Sequence, residues 1–78
     1  MKIENWGITG NSLCGNVYGN PNFNDGDFVV TSAISKVEKL DGIVQVYTRN
    51  SVYELGVVDS VYETCYPDTE NRLVKHFA

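Results

Sequence analysis

A single histidine, two cysteines, two prolines and only six basic residues limit what this 78-residue chain does. Two cysteines make no disulfide framework, and one histidine makes no structural zinc site. Cys14 and Cys65 are read as small buried or half-buried hydrophobes, with one bridge between them as the alternative in an oxidising compartment. The lone histidine, His76, is read as a solvated side chain, and nothing around it resembles a nucleophile elbow or a cysteine-protease context. Long apolar runs are also missing. Phe28-Val29-Val30 and Val57-Val58 are strand material, far short of the ~20 apolar residues of a membrane helix. The opening MKIENWG has no apolar stretch after its lysine, so no signal peptide is expected and the cytoplasm is the expected location.

Positive charge is scarce and scattered. Ten acidic residues outweigh the six basic ones, giving a net charge of −4, and Lys2, Lys36, Lys39, Arg49, Arg72 and Lys75 form no linear cluster. Binding to long DNA or RNA, which needs a basic face to neutralise phosphates, is not expected. A small nucleotide remains compatible, because a few donors and one or two cations in a pocket suffice for it.

What the chain does have is β-forming sequence punctuated by turns. It reads as a single domain, residues 1–78, mainly β, near the size where one core barely suffices and oligomerisation helps. Met1 to Ile8 alternates loosely and gives a first strand, and Leu13 to Tyr18 a second. Asn24-Asp25-Gly26 marks a turn. A three-stranded antiparallel meander follows over about 27–57. Its first strand runs from Asp27 to Lys39, Asp41-Gly42 makes a type I′ turn, and Ile43 to Thr48 runs back. Arg49-Asn50 turns again into Ser51 to Val57. Ile43, Tyr47, Tyr53 and Leu55 are assigned to one set of alternating positions, and Val44, Val46 and Val52 to the other, so both faces are expected to be covered. Asp59 to Cys65 suggests a helical turn capped by Asp59 or Ser60 and ended by Pro67. Asp68 to Phe77 reads as a short helix with Leu73, Val74 and Phe77 inward, or as a final extended segment.

The segment Gly15 to Ser32, GNVYGNPNFNDGDFVVTS, carries the densest recognition chemistry. It matches neither the phosphate loop nor the dinucleotide fingerprint, and a proline loop stands where those motifs need a helix. Backbone N–H groups around Gly19-Asn20 and Asp25-Gly26 are candidates for an anion-binding concavity. Tyr18 and Phe23 flank a Gly/Asn/Pro loop where a ring is free to stack on a base. Asn11, Asn16, Asn20 and Asn24 supply paired donors and acceptors. Thr31 and Ser32, adjacent in a strand, face opposite sides unless a bulge intervenes. Asp25 and Asp27 suit an Asx-turn better than a general acid/base pair, and with Asn24 they offer too few oxygens for a calcium loop. No catalytic residue, metal site or cofactor is expected.

Asn5-Trp6-x-Ile8-Thr9-Gly10, Gly15-x-Val17-Tyr18-Gly19-x-Pro21-x-Phe23-x-Asp25-Gly26, Thr31-Ser32-x-Ile34 and Tyr53-x-Leu55-Gly56 together resemble a family of small phage proteins. These are the viral nucleotide sponges that counter cyclic-oligonucleotide antiphage signalling, the fourth anti-CBASS family. The resemblance covers residues 5 to 56. It implies a non-enzymatic homo-oligomer, a tetramer, that works in the host cytoplasm and binds a cyclic dinucleotide or related signal, withholding it from a host effector. On the matching positions it implies Tyr18, Asn20 and Phe23 for the base, with Thr31, Ser32 and one basic residue, Arg49, for phosphate. A β-sheet module that binds and inhibits a host protein is the alternative reading.

Overall fold

The computed structural model describes residues 1–77. Five strands, β1 (Lys2–Thr9), β2 (Ser12–Tyr18), β3 (Phe28–Leu40), β4 (Ile43–Thr48) and β5 (Val52–Leu55), follow one another as a meander. Two short helices follow, α1 (Ser60–Cys65) and α2 (Thr69–Phe77). Consecutive strands pair antiparallel, and β5 then closes on β1 in parallel, Lys2 opposite Glu54 and Ile3 opposite Leu55, so the sheet becomes a barrel. The mainly β fold, the meander and the helical ending agree with the sequence; closure does not show in it. No helix among the described residues is long and apolar enough to cross a membrane.

Local chemistry accounts for the turns. Asp41 and Gly42 both have positive φ, 52° and 78°, as the type I′ turn between Leu40 and Ile43 requires. In the β2–β3 connection the carboxylates cap the loop. Asp25 Oδ1 accepts from the Gly19 N–H at 2.9 Å and Asp27 Oδ2 from the Asn24 N–H at 3.1 Å. Both acids hold the loop, but by reaching back along the chain. The Asx-turn expected of them, in which the side chain accepts from the N–H two residues on, is made instead by Asn20, whose Oδ1 accepts from the Asn22 N–H at 3.0 Å.

Three irregularities shape the barrel. In β1, Asn5 and Trp6 stand opposite the single residue Gly15, with Asn5 at φ 49°. This bulge explains the broken alternation in β1, because both Ile3 and Trp6 point inward and are fully buried. In β3, Thr31 and Ser32 together face Leu13, a second bulge. Ser35 is the extra residue of a third, between the Ile34–Thr48 and Lys36–Tyr47 pairs.

Ile3, Trp6, Leu13, Val17, Ile34, Val37, Val44, Val46, Tyr53 and Leu55 fill the interior. The face assignment across the Arg49-Asn50 turn needs correction. Val46 pairs with Tyr53 and Tyr47 with Val52, so Tyr53 and Leu55 share the inner face with Val44 and Val46. Val52 instead lies on the outer face with Ile43 and Tyr47, and Ile43 and Val52 are both exposed there. Cys14 is half-buried as expected, whereas Cys65 is exposed, and both thiols are free.

Helix α1 begins at Asp59, whose carboxylate accepts from the Tyr62 N–H at 2.9 Å. Leu73 of α2 is buried against the barrel core, with Val74 and Phe77 packed beside it, as the periodicity suggested. Glu63 joins the helices. Its carboxylate accepts from the backbone N–H groups of Asp68, at 2.7 Å, and Thr69, at 3.2 Å. These two bonds hold its pKa below the ordinary 4.5. A carboxyl with a lowered folded pKa adds stability above its unfolded pKa and loses it as pH falls through the folded one. The difference in melting temperature between wild type and Glu63→Gln is therefore expected to be largest near neutral pH and to vanish in acid. A difference that stays constant from pH 7 to about 3 would refute this role.

Candidate functional site

Strand β3 is long and has two different neighbours. Its first half, Phe28 to Ala33, pairs with β2, while β4 joins it only from Ile34 onward. On the β4 side the first half therefore has no strand partner among the described residues. The Val17 N–H donates to the Asp27 carbonyl at 3.0 Å, which makes Gly15–Val29 the next hydrogen-bonded pair of the ladder. By the same alternation, the N–H and C=O of Phe28 and Val30 point away from β2, toward the open side.

A cleft of about 210 Å³ lies along this open edge. Asn20, Asn22, Phe23, Thr31, Ser32 and Asn50 line it, together with Tyr53 and the β3 edge itself. Four of the six expected site residues thus meet in one place. The bulge is the reason Thr31 and Ser32 both reach it, although adjacent strand residues otherwise face opposite sides.

The side chains divide into supports and free groups. Asn20 is buried; its amide donates to the Tyr53 hydroxyl at 2.9 Å and its Oδ1 accepts from the Asn22 N–H at 3.0 Å. The buried Thr31 hydroxyl accepts from the Leu13 N–H at 3.0 Å and donates to the Ser32 carbonyl at 2.8 Å. The hydroxyl thereby satisfies a backbone N–H that the bulge leaves without a carbonyl partner, and it is not free for a phosphate. Ser32 Oγ accepts from the Asn50 N–H at 3.2 Å and keeps its proton to donate. Phe23 is 44% exposed, and the carboxamides of Asn22 and Asn50 make no hydrogen bond to another described residue.

Other expectations shift. Tyr18 lies apart, in an open depression with Met1, Lys2, Gln45, Val52 and Glu54, so it does not face Phe23 across one ligand. Arg49 is exposed, and its N–H donates to the Ala33 carbonyl at 3.2 Å in the turn next to the cleft, but it does not line the cleft. The proposed anion concavity is closed, because the Gly19 N–H is taken by Asp25 and the Gly26 N–H by the Val17 carbonyl at 2.7 Å. Of Asn11, Asn16, Asn20 and Asn24, only Asn20 lines the cleft; Asn16 instead donates to the Gly26 carbonyl at 3.0 Å.

Sequence reasoning missed Asn22, Asn50 and Tyr53. Asn22 sits between Pro21 and Phe23 in a loop already singled out, so its type and place were a usable signal. Asn50 and Tyr53 reach the cleft only through the β4–β5 turn folding over β3, which no local pattern records.

No charged side chain lines the cleft. Its free groups, one exposed ring, two carboxamides, a hydroxyl and an open strand edge, suit a flat, neutral group rich in donors and acceptors. No protein-family model, curated protein or solved structure matches this chain.

Proposed function

We propose that the chain is a non-enzymatic nucleotide-binding protein that sequesters a cyclic oligonucleotide signal and so keeps it from a host antiphage effector. The observation that carries this reading is the β3-edge cleft, where Phe23 offers a stacking face beside Asn22, Asn50, Ser32 and unpaired backbone groups. That combination reads a base by its face and its edge at once. The resemblance of residues 5 to 56 to the nucleotide-sponge family supports the ligand class. A cleft of about 210 Å³ takes one base-sized ring system and is smaller than the roughly 300–1,000 Å³ that encloses a whole ligand. A cyclic dinucleotide would therefore be held by a homo-oligomer, with Arg49 beside each cleft as the cation assigned to phosphate.

Calorimetry against cyclic di- and trinucleotides tests this directly. Binding without turnover is expected, with the ligand recovered unchanged after heat denaturation. Phe23→Ala is expected to weaken affinity about 5- to 100-fold, the worth of one stacked base. No heat at micromolar protein across the panel would remove the proposal.

One observation favours a second reading. The same open edge is flanked by Phe28 and Val30, 66% and 58% exposed, which suits addition of an extended strand from a host protein. Recovery of one stoichiometric protein from lysate, by a preparation carrying no nucleotide, would favour it.

A further inference from the structure

We propose a second ligand site, independent of the β3-edge cleft, that takes a flat aromatic molecule bearing one anionic group. It is a cavity of about 330 Å³ between the two helices and the end of the barrel, within the size range of small-molecule pockets. Ile8, Ile34, Leu73 and Phe77 make its apolar floor, and Tyr62, Tyr66, Asn11, Arg72 and His76 complete its lining.

The aromatic wall is preorganised. The Tyr62 ring packs on Gly7 so closely that a Cβ there would lie 2.9 Å from its Cδ2. Tyr66 leans on Tyr62 with ring centroids 4.8 Å apart, and is itself 52% exposed. Neither tyrosine hydroxyl, nor the Asn11 carboxamide, nor the His76 ring hydrogen-bonds to another described residue. These polar ends surround an apolar floor and await a partner.

The charge pattern selects the ligand's sign. Lys2, Lys36 and Lys39 each stand beside a carboxylate: Lys2 by Glu4 and Glu54, Lys36 by Glu38, Lys39 by Glu70. Arg72, like Arg49 and Lys75, has no carboxylate within 4.0 Å among the described residues, but of the three it alone lines the cavity. The one hydrogen bond of its guanidinium, from Nη1 to the Pro67 carbonyl, is 3.3 Å long. The Glu63 carboxylate, which Arg72 influences only weakly, is held by the Asp68 and Thr69 N–H groups. Arg72 thus combines a place on a cavity wall with most of its donors unused. In a protein of net charge −4, that makes this wall a place where an anion finds open guanidinium donors beside an apolar surface.

The test is an amide-shift titration of the 15N-labelled protein with 2-naphthoate and its neutral counterpart 2-naphthamide. Saturable shifts are expected at Gly10, Asn11, Tyr66 and Arg72, with naphthoate bound on the order of tenfold more tightly, the worth of one charge-assisted bond. Arg72→Gln is expected to bring naphthoate down to the naphthamide level, while Phe23→Ala leaves it unchanged. Equal affinity for the two probes, no saturable shift at millimolar probe, or shifts centred on Phe23 and Ser32 would each overturn the site. The probe comparison on the unaltered protein decides the matter even if a variant does not fold. Nucleotide calorimetry reports on the other cleft, so the two proposals fail separately.

Discussion

Trp6→Ala is expected to cost about 3–5 kcal/mol, the usual loss for truncating a large buried aromatic. Trp6 has no exposed surface, and it ties three parts of the fold together. Its indole N–H donates to the Gly56 carbonyl at 3.1 Å, its backbone N–H to the Val57 carbonyl at 3.4 Å, and its carbonyl accepts from the Asp59 N–H at 2.8 Å. The ring fills the interior while the backbone leads β5 into α1. A domain of this length holds about 4–12 kcal/mol in all, so the alanine variant loses from about a quarter to all of it. Trp6→Phe retains most of the packing and loses the indole donor, and is expected to cost about 1–2 kcal/mol. Urea unfolding followed by far-ultraviolet circular dichroism measures both, since the only tryptophan of the chain is the residue removed. An alanine variant within about 1 kcal/mol of wild type would show that the core does not depend on this ring.

Gly15→Val is expected to be comparably damaging for the opposite reason, excess rather than missing volume. A Cβ on Gly15 would lie 2.8 Å from the Glu4 carbonyl oxygen, 2.9 Å from Ile3 Cγ1 and 3.0 Å from Trp6 Cα. Two of those three atoms are backbone of the β1 bulge and have nowhere to go. Alanine is expected to cost about 1–3 kcal/mol, and valine more, because the bulge must open to admit it. Gly10→Ala is the informative contrast. Nothing lies within 4 Å of a Cβ there, and only the positive φ of 58° opposes the change. That substitution is expected to cost about 1–2 kcal/mol. If Gly15→Ala proved no worse than Gly10→Ala, the close approach at the bulge would not be limiting.

The sequence announced some of this and hid the rest, along a clear physical line. Turns made of Asp41-Gly42 and Asn24-Asp25-Gly26 were legible because backbone sterics are local. The α2 face of Leu73, Val74 and Phe77 was legible because helical spacing is local too. The loose alternation of β1 was legible, but the bulge at Asn5 and Trp6 that causes it, and that turns both Ile3 and Trp6 inward, was not. The inner face of β5 was misread because its register depends on how Thr48 to Ser51 closes the turn, where the Thr48 N–H donates to the Ser51 carbonyl at 2.8 Å. For the site, residue types pointed to Asn20, Phe23, Thr31 and Ser32, which the fold does gather. Which of them remain free was not legible. Thr31 and Asn20 spend their polar atoms on Leu13 and Tyr53, partners 18 and 33 residues away.

The parity of the barrel has a practical consequence. An up-and-down meander with an odd number of strands ends running in the direction in which it began, which is why β5 closes on β1 in parallel. The chain therefore enters the barrel at one mouth and leaves at the other, and its helices stopper the mouth opposite Met1, beside Ile8 and Gly10. A tag or surface anchor joined before Met1 stands clear of the helix-lined cavity. One joined after the helices emerges next to it, so the choice of tethered end decides which mouth an added molecule meets first.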